Sequence, residues 1–301
     1  MKQFYDMEAF EQAGLQVPAE WEKLAVEGIS GVQMVVGAPD VGKTTFARYL
    51  FQRISESGEK VAYLDGDPGQ SFLGPPGTQT LVFGETGSRA FPPEGRVWRK
   101  FVGSVSPRGH LLPTVVGASR LVRKALHSGA SAVIYDTSGL VDPKQGGLAL
   151  KYAKIDMLEP NRVYAIQREK ELNPLIMLLR RSQRCKVIQL SPADAAVTRS
   201  QGMRQAYRSQ KFAAYFHDAE LQKMKWNDYG IYPAPRFAMH RLIALEDREG
   251  FTLALGIVVE IDRVERLVTL LAPAVDLDAF RGMNLGDIMV DPHTFRDYRP
   301  I

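Results

Sequence analysis

The stretch VQMVVGAPDVGKTTFARYL, residues 32–50, decides the fold of this chain. Its first five residues are mostly apolar and have the length of a buried strand. A short loop bounded by Gly37 and Gly42 follows. From Lys43 onward the apolar residues recur at helical spacing, which predicts a helix over 43–58 that ends at a glycine. A strand, a glycine-bounded loop and a helix in this order open a β–α–β unit.

The loop matches the pattern G-x-x-x-x-G-K-[ST], and it lies between a strand and a helix, as that pattern requires. Glycines allow backbone N–H groups to surround a phosphate, and the helix N-terminus adds a favourable partial charge. Lys43 has the reach for β- and γ-phosphates, and the Thr44 hydroxyl is a ligand for Mg²⁺. We therefore predict a nucleoside triphosphate site formed by Gly37, Asp40, Val41, Gly42, Lys43, Thr44 and Thr45.

Short apolar runs alternate with helical patterns through the middle of the chain, which is typical of a parallel sheet covered on both faces. The runs that we predict to be strands are 32–36, 60–65, 131–136, 162–166 and 186–190. From about residue 236 the pattern becomes that of short β-strands. The expected class is therefore α/β, with a P-loop NTPase-type, doubly wound, mostly parallel sheet and a small β-rich C-terminal domain.

The predicted division has three parts: a helical lead-in (1–30), a P-loop domain that includes an arginine-bearing helix (31–235) and the β-rich domain (236–301). Residues 66–100 are rich in Gly and Pro, so we predict a long functional excursion there rather than packed structure.

Composition restricts the class of protein. A single cysteine, Cys185, excludes an intramolecular disulfide and a cysteine-based zinc cluster. No apolar run approaches the ~18 residues of a membrane span, and the N-terminus lacks an apolar signal core, so we expect a cytoplasmic protein. The net charge is only +4, but residues 96–124 and 180–211 are strongly basic. Each basic segment is either a face that meets anions or a solvated surface.

Acidic residues follow two of the predicted strands. Asp65, Asp67 and Gln70 lie in LDGDPGQ, and Asp136 and Thr137 lie in YDTSGLV. Because the carboxyl ends of parallel strands meet at the ligand crevice, these side chains can hold Mg²⁺ or accept a proton from an attacking hydroxyl. Plain turns at the strand ends are the alternative for both segments.

Residues 197–216 are predicted to form a basic helix. Arg204 and Arg208 are four residues apart and project from one face, where they can bind one polyanion. Arg199 is roughly 140° away around the same predicted helix. Arginines near a P-loop stabilise charge on a transferring phosphoryl group. The alternative is a surface helix whose buried side is formed by Phe212, Tyr215 and Phe216.

Taken together, these elements resemble the Clp1/Grc3 family of polynucleotide 5′-hydroxyl kinases. The phosphate loop follows the family pattern G-[PS]-x-D-x-G-K-[ST] apart from Ala38, and it includes the unusual Asp40. The sequence DGDPGQ at 65–70 satisfies the pattern D-x-[DN]-x-G-[QP]. The lid pattern R-x-x-x-R is matched by Arg204 and Arg208.

One family pattern is met only in part. Thr137 and Gly139 fit T-x-G-W, but Leu140 stands where the family has a tryptophan that is implicated in holding the acceptor strand. The 301 residues leave no room for the N-terminal β-domain of eukaryotic members, so we expect a compact prokaryotic type.

The resemblance implies transfer of the γ-phosphate of ATP, with Mg²⁺, to the 5′-OH end of RNA or DNA. It implies that Asp67 is the general base, that Asp65 supports the metal bound by Thr44, and that Lys43 holds phosphate. Arg204 and Arg208 would close over the γ-phosphate. The implied contacts with the acceptor come from Gln70, Arg108, Thr137 and Gly139. Neither a membrane nor a particular protein partner is implied.

Other classes stay open. A P-loop GTPase or ATPase switch, or a metal-insertion chaperone, would use the same loop, but the chain contains no Asn-Lys pair for an N-K-x-D guanine motif and no Cys/His cluster. A non-catalytic ATP-binding scaffold in an RNA-processing complex would not need the acids and the lid arginines. A small-molecule kinase is the closest alternative, and a requirement for a polynucleotide acceptor would separate the two.

Overall fold

The computed structural model describes residues 17–26, 28–84, 90–192 and 198–299. The α-helices are α1 (Ala19–Glu22), α2 (Lys43–Glu56), α3 (Leu111–His127), α4 (Gly147–Leu158), α5 (Asn173–Ser182) and α6 (Gln201–Tyr215). The strands are β1 (Gly31–Gly37), β2 (Val61–Gly66), β3 (Thr78–Gly84), β4 (Gly95–Phe101), β5 (Ala132–Thr137), β6 (Arg162–Ile166), β7 (Lys186–Leu190), β8 (Glu220–Lys225), β9 (Gly230–Tyr232), β10 (Arg241–Asp247), β11 (Thr252–Asp262), β12 (Leu267–Ala272), β13 (Phe280–Val290) and β14 (Asp297–Tyr298).

The first sheet has the strand order β4-β3-β2-β5-β1-β6-β7, and the five strands from β2 to β7 in that order run parallel. These five correspond to the strands predicted from the sequence, and the predicted helix after the glycine loop is α2. One face packs against α2, where Phe46 and Leu50 are fully buried, and the other packs against α3, α4 and α5. The α/β class and the mostly parallel, doubly wound sheet are therefore confirmed.

The prediction for residues 66–100 is wrong in part, because this segment contains β3 and β4. Both strands extend the first sheet antiparallel to their neighbours, with Leu64 opposite Leu81 and Leu81 opposite Trp98. Gly and Pro lie mainly in the loops that flank these two strands. The apolar run TLVF at 80–83 is the signal for a strand, and β4, whose first three residues are exposed, is the edge strand of the sheet.

The second sheet is largely antiparallel, with the order β14-β13-β10-β11-β12-β8 and with β9 paired to β13. Its apolar core includes Ile243, Leu245, Val258 and Leu270, all fully buried. The predicted β-rich C-terminal unit is present as this sheet. Two of its strands, β8 and β9, come before residue 236, and the division at that residue stays a prediction.

Helix α6 contacts both sheets. Its last turns bury Phe212, and Phe216 just beyond the helix, against Leu242 and Val290 of the second sheet and Phe101 of the first. Its first turn reaches the loop between β1 and α2. The arginine-bearing helix is therefore anchored on the second sheet and extends over the carboxyl edge of the first. Within the described residues, no helix is long and apolar enough to cross a membrane.

Candidate active site

The loop between β1 and α2 forms a cradle with free backbone donors. Gly42 precedes α2 with φ +87°, and no side chain caps the helix, so its first N–H groups are available to an anion. A Cβ on Gly37 would lie 2.5 Å from the Ile166 carbonyl oxygen and 2.7 Å from Val41, so only glycine fits there. Asp40, at the top of the loop, also adopts a positive φ of 56°.

Lys43 lies inside this cradle. It is 8% exposed, and its Nζ donates to the carbonyl oxygen of Ala38 at 2.6 Å. Burial lowers the pKa of Lys43, while the negative charges of Asp136, Asp67 and Asp40 oppose that shift. A carbonyl partner within the loop leaves the ammonium group able to move to a phosphate oxygen.

Asp136 at the end of β5 is directly linked to the cradle. Its Oδ2 accepts a hydrogen bond from the Thr44 hydroxyl at 2.6 Å and a longer one from Tyr63 at 3.4 Å. Its Oδ1 is buried and has no hydrogen-bond partner among the described residues. Burial raises the pKa of Asp136 to about 7, although Lys43 and Thr44 favour the charged form. A buried carboxylate oxygen without a partner, beside a threonine hydroxyl, fits a hard divalent cation.

Asp65 at the end of β2 has a different environment. Its Oδ2 accepts hydrogen bonds from Ser71 Oγ (2.8 Å), Phe72 N (2.6 Å) and Leu73 N (2.9 Å), and Oδ1 accepts from Asp67 N (3.3 Å). Burial raises the pKa of Asp65 to about 6, and these hydrogen bonds oppose the rise. Three donors occupy Oδ2, while Oδ1 accepts only the bond from Asp67, and the supporting metal role of Asp65 stays a prediction.

Asp67 lies within the turn that Asp65 organises. Its Oδ1 accepts from the backbone N–H groups of Gly69 (2.9 Å) and Gln70 (3.1 Å), which fixes the carboxylate and leaves Oδ2 without a described hydrogen bond. Gln70 donates to Gly69 O at 2.7 Å and to Arg204 O at 3.4 Å, while its Oε1 is buried and unpartnered among the described residues. A half-buried carboxylate with one free oxygen has the form of a general base.

The lid arginines are placed differently from each other. Arg204 Nη2 donates to Asp40 Oδ2 at 2.6 Å, at the top of the cradle. Arg208 makes a two-bond ion pair with Asp297, both bonds at 2.9 Å. The prediction that Arg199 lies on the same helix is wrong, because Ser200 caps the N-terminus of α6. Arg199 instead donates its backbone N–H to Asp40 Oδ2 at 3.0 Å.

The segment after β5 packs against the cradle. A Cβ on Gly139 would lie 2.8 Å from Pro39 N, so the close approach of the two loops requires glycine. Thr137 is 1% exposed and its hydroxyl donates to Val35 O at 2.8 Å, so its side chain does not face the crevice as the acceptor role predicts. Leu140 is half-buried at the same rim.

Two buried lysines on α4 escaped the sequence analysis. Lys151 Nζ donates to Thr137 Oγ1 at 2.8 Å and also to the Ser138 carbonyl oxygen, so it holds the segment after β5. Lys154 lies 5.0 Å over the ring of Tyr135, and burial lowers the pKa of Lys154 to about 7. Their signal in the sequence was two lysines, three residues apart, in a helix whose neighbouring positions are apolar.

Three basic side chains of the segment 96–124 bind the hairpin between β10 and β11. Lys100 and Arg120 donate to the backbone carbonyl oxygens of Gly250 and Glu249, and Lys124 pairs with the Glu249 carboxylate at 2.9 Å. These side chains fix the β10–β11 hairpin to β4 and to α3. Arg108 is exposed in the turn before α3 and makes no described side-chain hydrogen bond, so it alone of these four is free to meet an acceptor.

The site therefore combines a phosphate cradle, two acids at neighbouring strand ends and an arginine helix. A model of the family described as mRNA cleavage and polyadenylation factor CLP1 P-loop matches residues 37–218. The chain belongs to the Clp1 P-loop family. This agrees with the resemblance seen in the sequence.

Relatives of this Clp1-family chain include three archaeal proteins named polyribonucleotide 5′-hydroxyl-kinase. The protein from Pyrococcus abyssi is 25% identical over 89% of this chain and 91% of its own length. Those from Pyrococcus furiosus and Methanocaldococcus jannaschii are 31% and 30% identical over 62% and 66% of this chain, and those alignments span 51% and 54% of the relatives. The structure of the Clp1p–Pcf11p complex has a chain similar in fold, with a TM-score of 0.64, 16% identity and coverage of 90% of this chain and 77% of that one.

Proposed function

We propose that this protein transfers the γ-phosphate of ATP to the 5′-hydroxyl end of RNA. The observation that carries the proposal is the pair of acids at neighbouring strand ends: Asp136 is hydrogen-bonded to the cradle through Thr44, and Asp67 presents a free carboxylate oxygen on the same rim. A nucleotide-driven switch needs the first acid, whereas a kinase also needs a base for the acceptor hydroxyl. The archaeal relatives named as polyribonucleotide kinases support the same reaction.

The cradle would hold the triphosphate. The first N–H groups of α2 and the ammonium group of Lys43 would contact the β- and γ-phosphates, and the fixed backbone of Gly42, Thr44 and Thr45 would shape the loop around them. Arg204 would exchange its bond to Asp40 for a γ-phosphate oxygen.

The metal ligands that we propose are Thr44 and Asp136. The unpartnered Oδ1 of Asp136 and the adjacent Thr44 hydroxyl fit Mg²⁺, which keeps several waters and binds through one or two protein oxygens together with substrate phosphates. When bound, the ion would neutralise charge on the phosphate oxygens. No group of three or more His, Cys, Asp or Glu side chains forms a metal site within the described residues.

Asp67 would accept the proton of the 5′-hydroxyl as that oxygen forms its bond to the γ-phosphorus. The bond from the γ-phosphorus to the bridging oxygen breaks, and ADP leaves with the electron pair. The two backbone hydrogen bonds to Oδ1 hold the carboxylate so that Oδ2 can reach the hydroxyl. Gln70, whose backbone N–H donates to Asp67 Oδ1, would guide the acceptor together with Arg108 and Gly139, with Thr137 acting indirectly through its bond to Val35.

The experiment uses γ-labelled ATP with Mg²⁺ and three acceptors: a 5′-OH RNA oligonucleotide, the DNA oligonucleotide of the same sequence and a free nucleoside. We expect label on RNA, and its ratio to label on DNA measures the contribution of the 2′-hydroxyl. Label on the nucleoside alone would make the protein a small-molecule kinase. Steady hydrolysis of ATP or GTP with no labelled acceptor would favour the switch, and ATP binding without either reaction would favour the scaffold.

A further inference from the structure

The two lid arginines differ in the strength of their attachment. Arg204 makes one hydrogen bond to Asp40, and its side chain is 31% exposed. Arg208 makes two parallel hydrogen bonds to Asp297, and the two side chains are 14% and 8% exposed. Two-bond Arg–carboxylate pairs are stronger and more directional than single contacts, and removing one partner from a buried pair leaves an uncompensated charge.

Asp297 belongs to the second sheet, far along the chain from α6. It lies in β14, where it pairs with Val290 of β13. Its backbone carbonyl oxygen also accepts a hydrogen bond from Gln205 Nε2 at 2.9 Å. One residue of the second sheet therefore holds two side chains of the lid helix, one through its carboxylate and one through its backbone.

Further contacts fix the body of α6 on both sides of Arg208, and before it Tyr207 Oη donates to Ser71 O at 3.0 Å. Beyond Arg208, Lys211 donates to Phe72 O at 2.8 Å, and Phe212 is fully buried against the second sheet. Before Arg208, the direct contact with the cradle is the bond from Arg204 to Asp40. Arg204 can move from Asp40 to a phosphate oxygen by breaking one hydrogen bond. To reach phosphate, Arg208 would have to break two hydrogen bonds and leave the buried Asp297 carboxylate without its partner.

We propose that Asp297 is a positioning residue: its pair with Arg208 fixes α6 on the second sheet, so that Arg204 is the lid arginine that contacts the transferring phosphoryl group. This inference rests on the proposed kinase function for its catalytic readout. It divides the roles of two arginines that the sequence pattern treats alike, and it gives the second sheet a direct part in the reaction.

The first test measures single-turnover label transfer to the RNA acceptor. Arg204→Ala should lose about 10³-fold or more, as expected for an arginine at the phosphoryl group. Arg208→Ala and Asp297→Ala should each lose less, up to about 10²-fold, as expected for misplaced groups, and the double variant should be no slower than the slower single variant. Asp278→Ala, which removes an exposed acid from the turn before β13, is the control and should transfer at the wild-type rate.

The opposite pattern would overturn the inference. If Arg208 contacts phosphate and Asp297 merely competes for it, Arg208→Ala will lose as much as Arg204→Ala, while Asp297→Ala will transfer at or above the wild-type rate. Asp297→Asn keeps the shape of the side chain, so it replaces Asp297→Ala if the latter fails to fold.

The second test does not depend on catalysis. Hydrogen exchange of the amides in Gln201–Tyr215, measured without nucleotide, should be faster by a similar factor in Arg208→Ala and Asp297→Asn, while Asp278→Ala should match the wild type. Unchanged exchange in Asp297→Asn would overturn the inference. If the wild type labels no oligonucleotide, the proposed function fails, and the exchange measurement still decides the role of Asp297.

Discussion

The ends of β2 and β5 lie side by side, with Asp65 directly opposite Asp136 in the parallel ladder. Both carboxyl groups are buried, and burial raises the pKa of both. They differ in their partners: four protein donors surround Asp65, whereas Asp136 keeps one buried oxygen without a described partner. Burial and a shifted pKa therefore do not by themselves identify a functional acid. We propose that unused hydrogen-bonding capacity distinguishes the acid that binds a ligand, Asp136, from the acid that fixes the local turn, Asp65.

The largest effect that we expect from this difference is on phosphoryl transfer. Asp136→Asn should slow transfer by about 10³-fold, since it removes the charged oxygen next to Thr44 and weakens the proposed cation site. The measurement is single-turnover transfer over a range of Mg²⁺ concentrations, with the free energy of unfolding measured alongside. If the variant transfers phosphate within tenfold of the wild-type rate at low Mg²⁺, Asp136 does not have the proposed role in binding the cation.

The pH dependence of stability should reveal the cost of burying these acids. Their folded-state pKa values, about 6 for Asp65 and about 7 for Asp136, lie above the unfolded value near 3.8. The folded state then binds more protons, so the free energy of unfolding should fall as pH rises from about 4 to about 7, by up to about 6 kcal/mol for the two acids together. The decline, measured by urea unfolding without nucleotide or metal, should be shallower in Asp136→Asn. An equally steep decline in that variant would contradict the assignment.

Asp65→Ala tests whether the Asp65 carboxylate stabilises the turn that follows β2. Removing the carboxylate leaves Ser71, Phe72 and Leu73 with buried donors that have lost their acceptor, so unfolding should become easier by about 2 kcal/mol. Urea unfolding measures this loss, and Asp136→Asn serves as the control because it should be as stable as the wild type or more so at pH 8. A variant as stable as the wild type would show that the turn does not depend on Asp65.

The smallest effect concerns the basic segment that was expected to guide the acceptor. Lys124 pairs with Glu249, whose side chain is 53% exposed, so Lys124→Ala should change the free energy of unfolding by less than about 1 kcal/mol. It should also leave the KM for RNA unchanged, whereas Arg108→Ala should raise it. A raised KM for RNA in Lys124→Ala would show that Lys124 contributes to binding of the acceptor.

These contrasts show how far sequence reasoning reached. The cradle, α2 and the positions of the strand ends follow from local patterns, because hydrophobic periodicity and glycine spacing are local properties. The partners of Asp65 and Asp136 do not follow, since both acids end similar strands and their difference depends on which donors the folded chain brings near. The bond from Thr44 to Asp136 joins residues 92 positions apart, and nothing in the sequence near either predicts it.

The same limit applies to the lid helix. The spacing of Arg204 and Arg208 correctly places them on one helix, but their opposite attachments depend on Asp40 and on Asp297 near the chain end. No motif surrounds Asp297, so its part could be found only from the packing of the second sheet against α6. Strands β3 and β4 differ from this case, because their signal is local. The many Gly and Pro residues of 66–100 favour a loop, and this outweighs the strand signal of the short apolar run at 80–83.

We propose that Asp67 activates the 5′-hydroxyl of the acceptor for phosphoryl transfer. The most direct measurement compares Asp67→Asn with the wild type in single-turnover transfer from γ-labelled ATP to 5′-OH RNA, with ATP affinity measured separately. Loss of a general base should slow transfer by about 10²- to 10⁴-fold and leave ATP affinity nearly unchanged. Transfer at the wild-type rate, or a loss explained entirely by weaker ATP binding, would contradict the account.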